Sequence, residues 1–325
     1  MPKKILIIRL GAIGDVVHTT NTFRAIKKLC PNAQIHYLTS ALIKPLLAYD
    51  PDIEKVWTAD IKKMKVFSKY SATLSKELKQ EKFDLIINLQ PSLKTRWIGF
   101  LTGVKKVIDY KKTFQLHAVD NFWATAKKEF ENIEKLPNLK LYLNPEAIKK
   151  AKNYVSELKH PIIVLNAGGI ISKRQGRSYP TPKWLELGEK IQKKYDGTIL
   201  LTGAKEDIEL LSELKNISGS RFLVGELSLE DSCALIGEAD MLISGDSGPL
   251  HIATALGVKT IGLFGSMPAK RTGPYGIGHT TITADLPCIP CNRRKCEFLK
   301  KGEIFTPCMA KINTDKILDT ISKVL

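Results

Sequence analysis

The sequence predicts an α/β protein of two doubly wound, parallel-sheet units. Uninterrupted apolar runs of four to six residues alternate with helical stretches along the chain, the pattern of parallel strands covered on both faces. The plan occurs twice. At 325 residues the chain is long for a single core, which favours two domains of roughly 150 residues each.

The first half opens with KILIIRL, continues through a helix in VVHTTNTFRAIKKLC, and adds strands at QIHYLTS and FDLIINLQ. The second half runs PIIVLNAGG, a helix after Pro182, GTILLTG, a helix through EDIELLSELKN, then RFLVGEL, DMLISGD and KTIGLFG. Polar, lysine-rich NPEAIKKAKNYVSELKHP is the natural connector. The expected domains are therefore 1–158 and 159–325, the second carrying a cysteine-containing segment at 288–308.

The chain is 43% hydrophobic and 26% charged, ordinary for a soluble protein, and no apolar run approaches a membrane span. Arg9 and Asp15 interrupt any signal-peptide core in the opening residues, so a cytoplasmic location is expected. The net charge is +17, and residues 1–160 hold 29 Lys and Arg against 15 Asp and Glu, whereas 161–325 hold 21 against 18. A basic first half suits nucleic acid, an anionic membrane surface or a phosphorylated substrate, and solvated lysine-rich helices account for part of it. Only 7% of residues are aromatic, with no ordered stacking motif among the cations. Nucleic acid is therefore not the expected partner.

Open parallel sheets bind ligands beyond the carboxyl ends of their strands. Five strand ends carry unusual chemistry: GAIGDVVH, AGGIISKRQGR, TGAKED, GDSGPLH and GSMPAKRTGPYG. Four lie in the second half, which should hold the larger ligand. GAIGD has G-x-x-G spacing rather than a dinucleotide fingerprint, and its carboxylate would repel a pyrophosphate. Asp15 is either a helix cap or a catalytic group at the mouth of the first strand. AGGIISKRQGR sets two glycines beside Lys173, Arg174 and Arg177, allowing backbone approach to an anion that cations neutralise.

In GDSGPLH, Asp246 or Ser247 can cap the helix through IATALG, and the first-turn N–H groups can receive an anion. His251, one turn in, either reaches the same ligand or is a buried, hydrogen-bonded histidine. The Ser-His-Asp set is not a hydrolase triad, because no G-x-S-x-G elbow is present. Cys30 and Cys233 are isolated and read as small packed residues. Cys288, Cys291, Cys296 and Cys308 form C-x2-C-x4-C-x11-C, close to structural-metal spacing. In a reducing compartment zinc is the first expectation, iron the second, and an unmetallated thiol cluster the alternative.

Together RLGAIGDVVHT, HAVDN, GAKED, SGDSGPLHIATALG, GLFGSMPAKRTGPYG and CIPC with its later cysteines resemble glycosyltransferase family 9, the bacterial heptosyltransferases of the lipopolysaccharide inner core. The cysteine tail is more similar to the heptosyltransferase II branch. The resemblance implies the GT-B fold, two Rossmann-like domains facing a central cleft, with acceptor bound by the first and donor by the second. It implies inverting transfer of heptose from ADP-heptose, with no cofactor required for catalysis.

Residue by residue, Asp15 matches the family's general base. Donor contacts fall on Gly14, Asp246, Ser247, Gly248 and His251, on Arg177 or Lys173 where the family usually has a lysine, and on Asp207 at a ribose contact that is often glutamate. The acceptor, of lipid A–Kdo type, would meet Lys62, Lys63, Lys94, Arg96, Lys111, Lys112 and His117, near Asn121 where the family often has a basic residue. Such an enzyme would sit peripherally on the cytoplasmic face of the inner membrane. Two enzyme readings stand beside this one: a family 9 transferase with a different nucleotide sugar or acceptor, and a sugar-nucleotide epimerase on the same architecture. The epimerase would act with no acceptor present.

Overall fold

The structure is a computed structural model that describes residues 2–130, 133–169 and 176–325. It comprises two compact units, 1–143 and 144–325. In the first unit β1 (Lys4–Ile8), β2 (Gln34–Ser40), β3 (Lys55–Ala59), β4 (Leu85–Asn88) and β5 (Val107–Asp109) form a parallel sheet in the order β3-β2-β1-β4-β5. Ile5 to Ile8 of the central strand are fully buried, as expected of a strand with neighbours on both edges and helices on both faces.

Local sequence sets the flanking helices. Ser68 caps Lys69–Gln80 by accepting the Ser71 N–H at 3.2 Å, and Leu74 and Leu78 join the core beneath. Ser92 and Thr95 form a capping box at the start of Leu93–Thr102, which ends at Gly103 in the left-handed region.

In the second unit β6 (Ile162–Asn166), β7 (Thr198–Thr202), β8 (Ser220–Phe222), β9 (Met241–Gly245), β10 (Lys259–Phe264) and β11 (His279–Thr283) are parallel, in the order β11-β10-β9-β6-β7-β8. In each sheet the chain reverses its direction of winding between two adjacent strands: β1 and β4, then β6 and β9. Loops leave opposite faces at such a switch point and open a crevice at the strand ends. GAIGD lies at the first, and AGG and GDSG lie at the second.

The division falls at Leu143–Asn144 rather than at 158–159. The expected connector is largely the helix Pro145–Val155, capped by Asn144, and its Ala147, Ala151 and Val155 are buried. It packs against the helix Leu229–Gly237, so its apolar stripe binds it into the second unit.

Glu186 ties the helix Thr181–Tyr195 to the C-terminal helix Thr314–Val324. Its carboxylate accepts from Lys190 Nζ at 2.8 Å, from the Thr314 hydroxyl, and from Lys183 Nζ at 3.0 Å, which holds its carboxyl down at about 2. A depressed acid stabilises the fold fully above its ordinary value of 4.5 and loses that contribution as pH falls toward about 2. Glu186→Gln is therefore expected to melt below the unaltered chain at neutral pH and to match it near pH 2. A melting difference of the same size at both pH values would refute the assignment.

Candidate active site

At the first switch point Asp15 stands in the third position of the helix Ile13–His18, and Ala12, with no side-chain cap, occupies the N-cap. The capping role is thereby excluded. Asp15 Oδ2 instead pairs with Arg9 Nη2 at 2.5 Å. Arg9 is itself fixed by donating Nη1 to the Leu89 carbonyl at 2.6 Å and by lying over the Phe122 ring. The Asp15 side chain is 38% exposed against 12% for Arg9. An accessible carboxylate is thus oriented by a sequestered cation. Arg9 lay hidden within an apparent strand run, with no signal beyond its being a charge among isoleucines.

Gly14 is buried in the same helix of the first unit. His18, one turn beyond Asp15, is buried and meets the ring of His117 edge-on at 5.5 Å between centroids. His117 Nδ1 accepts the Val119 N–H at 3.2 Å, capping the helix Ala118–Ala126. Asn121 is a buried bracket: its Oδ1 accepts the Thr113 N–H at 2.9 Å and its Nδ2 donates to the Lys111 carbonyl at 3.1 Å. Asn121 therefore shapes the loop that presents exposed Lys111 and Lys112. The remaining acceptor candidates group separately: Lys62 and Lys63 are exposed beside Asp60, Lys94 Nζ donates to the Ile61 carbonyl at 2.8 Å, and Arg96 Nε donates to Asp109 at 2.7 Å.

At the second switch point a pocket of about 380 Å³ is lined by Gly168, Gly169, Arg177, Glu206, Asp246 and Ser247, among others. Asp246 is 6% exposed. Arg177 Nη2 stands 2.9 Å from its Oδ2, and His251 Nε2 lies 3.6 Å from its Oδ1. Ser247 occupies the N-cap of Gly248–Ala255 but makes no side-chain cap. Its hydroxyl shares a 2.7 Å hydrogen bond with that of Ser244, and Asn166 Nδ2 donates to Ser244 at 3.0 Å. Neither Asp246 nor Ser247 caps the helix by its side chain, and its first-turn N–H groups keep their positive end toward the pocket.

Glycine makes this packing possible. A Cβ on Gly245 would fall 2.1 Å from the Arg177 carbonyl oxygen, and one on Gly168 would fall 2.6 Å from the Cα of Gly203. Asp207 lines the same pocket. Only 2% exposed, its Oδ2 accepts the Gly169 N–H at 2.8 Å and the Ala204 N–H at 3.1 Å, bracing the ends of β6 and β7. Glu206, passed over in the sequence, presents an exposed carboxylate to the same pocket. Lys173 lies outside the described residues.

Cys288, Cys291, Cys296 and Cys308 line one cavity of about 250 Å³, with Ser266, Arg293 and Lys295 on its wall. All four are free thiols. Burial, with a smaller contribution from the neighbouring cysteines, pushes the Cys308 thiol above its ordinary value. Among the described residues no three His, Cys, Asp or Glu side chains converge to hold a metal ion. The thiols are gathered, but not closed into a coordination shell.

Two doubly wound units, with an ion-paired carboxylate at one switch point and a cation beside an open helix N-terminus at the other, define a protein of the nucleotide-binding α/β class. The chain belongs to glycosyltransferase family 9 (heptosyltransferase), whose sequence profile matches residues 71–301. It is 24% identical over 295 residues to the lipopolysaccharide core heptosyltransferase OpsX of Haemophilus influenzae, covering 84% of this chain and 82% of that one. Its fold matches a family 9 glycosyltransferase from Veillonella parvula with a TM-score of 0.86 at 18% identity, covering 99% and 97% of the two chains. ADP-heptose lps heptosyltransferase II of E. coli matches at 0.80 and 19% identity, covering 99% and 98%. The fold is GT-B, and the protein is a glycosyltransferase.

Proposed function

We propose that this enzyme transfers heptose, with inversion, from ADP-heptose to the inner core of lipopolysaccharide, an acceptor of lipid A–Kdo type, at the cytoplasmic face of the inner membrane. The observation that carries this reading is the pocket at the second switch point, where Arg177 and an uncapped helix N-terminus meet at a volume suited to a nucleoside diphosphate. The names of OpsX and of the E. coli enzyme supply the sugar and the acceptor.

Transfer is a single displacement. Asp15 accepts the proton of the acceptor hydroxyl as that oxygen bonds to the anomeric carbon, and the bond from that carbon to the diphosphate breaks to release ADP. Arg177 and the free first-turn N–H groups of Gly248–Ala255, where Pro249 has none to give, receive the charge that develops on ADP. Asp246 is a poor neighbour for phosphate, so its part is to hold Arg177 and to meet sugar hydroxyls. Glu206, exposed at the pocket, reaches the ribose hydroxyls beside Asp207, whose Oδ2 is held by two backbone N–H groups.

Incubating the enzyme with a panel of nucleotide sugars and truncated core acceptors tests the reading. Heptosylated core with release of ADP is expected. Conversion of the sugar nucleotide without acceptor would establish an epimerase instead, and transfer from another nucleotide sugar would overturn the donor.

Cys288, Cys291, Cys296 and Cys308, which line one cavity, would be the ligands of one structural zinc or iron ion. Elemental analysis of protein purified without added metal is expected to give close to one equivalent. Four thiols titrating in the folded, metal-free protein would overturn it.

A further inference from the structure

The helix Leu93–Thr102 buries Thr95, Ile98, Gly99 and Thr102. Its opposite face carries Leu93, Arg96, Trp97 and Phe100, at the spacing of one helical stripe. That outward stripe should be polar, yet three of its four residues are apolar, with Leu93 79% and Phe100 72% exposed. The preceding loop extends the patch. Phe67, 83% exposed, meets the Trp97 ring at 4.5 Å, Trp97 stacks on Phe100 at 5.6 Å, and Val66 joins them along a shallow groove. Phe67 adopts φ of 62°, a conformation disfavoured for a bulky side chain, so the backbone is strained where it presents this ring to solvent.

Charge surrounds the patch on one side. The segment from Asp60 to Lys69 carries exposed Lys62, Lys63, Lys65 and Lys69 against the single carboxylate of Asp60. Leu93, Phe67 and Phe100 protrude, and the half-buried Trp97 packs between the two phenylalanine rings. Protruding aromatic and aliphatic groups flanked by lysines have the chemistry of a lipid interface, in which rings enter the boundary beneath the headgroups and ammonium groups meet lipid phosphates. No helix among the described residues is long and apolar enough to cross a membrane, so attachment of this kind would be to a surface.

The geometry points to this face as a docking surface for an anionic bilayer, with Phe67, Phe100 and Leu93 inserted over a base formed by Trp97, and Lys62, Lys63, Lys65 and Lys69 against the headgroups. The purpose rests on the proposed lipid-linked acceptor, since docking brings the enzyme to it. The binding itself does not, and it can be measured with no acceptor present.

Co-sedimentation of the full chain with vesicles of phosphatidylglycerol and phosphatidylethanolamine tests it. The protein is expected to partition onto these vesicles, more weakly as salt is raised, and poorly onto phosphatidylcholine alone. Substituting Phe67→Ser and Phe100→Ser together should reduce partitioning on the order of tenfold or more. Both side chains are largely exposed, so ADP affinity and transfer to a soluble, deacylated acceptor should persist. Absence of binding by the unaltered chain, or binding indifferent to the double substitution, overturns the proposal. So does lipid-free self-association that the substitution abolishes, which would assign the face to a second copy of the chain. Failure of transfer to every core acceptor would instead sink the proposed function while leaving vesicle binding intact.

Discussion

Asp15→Asn is expected to fold, to bind ADP as the unaltered chain does, and to turn over about 10²–10⁴-fold more slowly. The substitution isolates one property of the residue. An asparagine oxygen still accepts from Arg9, and Arg9 keeps its bond to the Leu89 carbonyl and its place over Phe122. What disappears is an oxygen basic enough to take a proton. Helix capping cannot compensate or confuse the result, because Ala12 occupies the N-cap position. Turnover at saturating donor and acceptor, beside ADP calorimetry, makes the measurement. Near-normal turnover would remove Asp15 from the chemistry and leave the second-unit pocket as it stands.

Most strands legible in the sequence are buried on both faces; the edge strand β8 is legible only through the apolar run FLV that overlaps its end. KILII, LIIN, IIVLN, TILLT and MLISG are almost wholly buried, and each appears as an unbroken apolar run. The strands β3, β5 and β11 were not recognised. Each lies at a sheet edge and mixes exposed with buried positions, so neither a continuous run nor a clean alternation marks it. The strand-end rule singles out Asp15, Arg177 and Asp246, which the structure sets at the two switch points, because position after an apolar run is a one-dimensional property.

Partnership was not legible. Arg9 and Asp15 are six residues apart, but Arg177 and Asp246 meet across sixty-nine positions of sequence, and only the winding of the second sheet brings them together. The same limit explains Asp207 and Glu206. Adjacent carboxylates are equivalent in a string of letters; both line the pocket, but the fold buries Asp207 against two backbone N–H groups and leaves Glu206 exposed.

Gly245→Ala should carry the second large effect, a loss on the order of 10² in kcat/KM through donor binding and orientation. The added methyl would stand 2.1 Å from the Arg177 carbonyl oxygen and 3.3 Å from its carbonyl carbon. Because the obstacle is backbone, no rotamer relieves it, and the end of β9 and the segment bearing Arg177 must separate. Arg177 then leaves Asp246, and the pocket loses its fixed cation. Overpacking also lowers stability, by about 1–3 kcal/mol, so the assay must distinguish a displaced cation from a loosened fold. Gly237→Ala serves as the control, since its methyl meets nothing nearer than Leu256 Cδ1 at 3.6 Å. Measured well below both melting temperatures, ADP affinity should fall in Gly245→Ala and hold in Gly237→Ala, the reverse of Asp15→Asn, in which affinity holds and turnover falls. If Gly245→Ala melts lower but binds ADP unchanged, the Arg177–Asp246 pair is not what holds the diphosphate, and the charge on the departing ADP must be met by other groups.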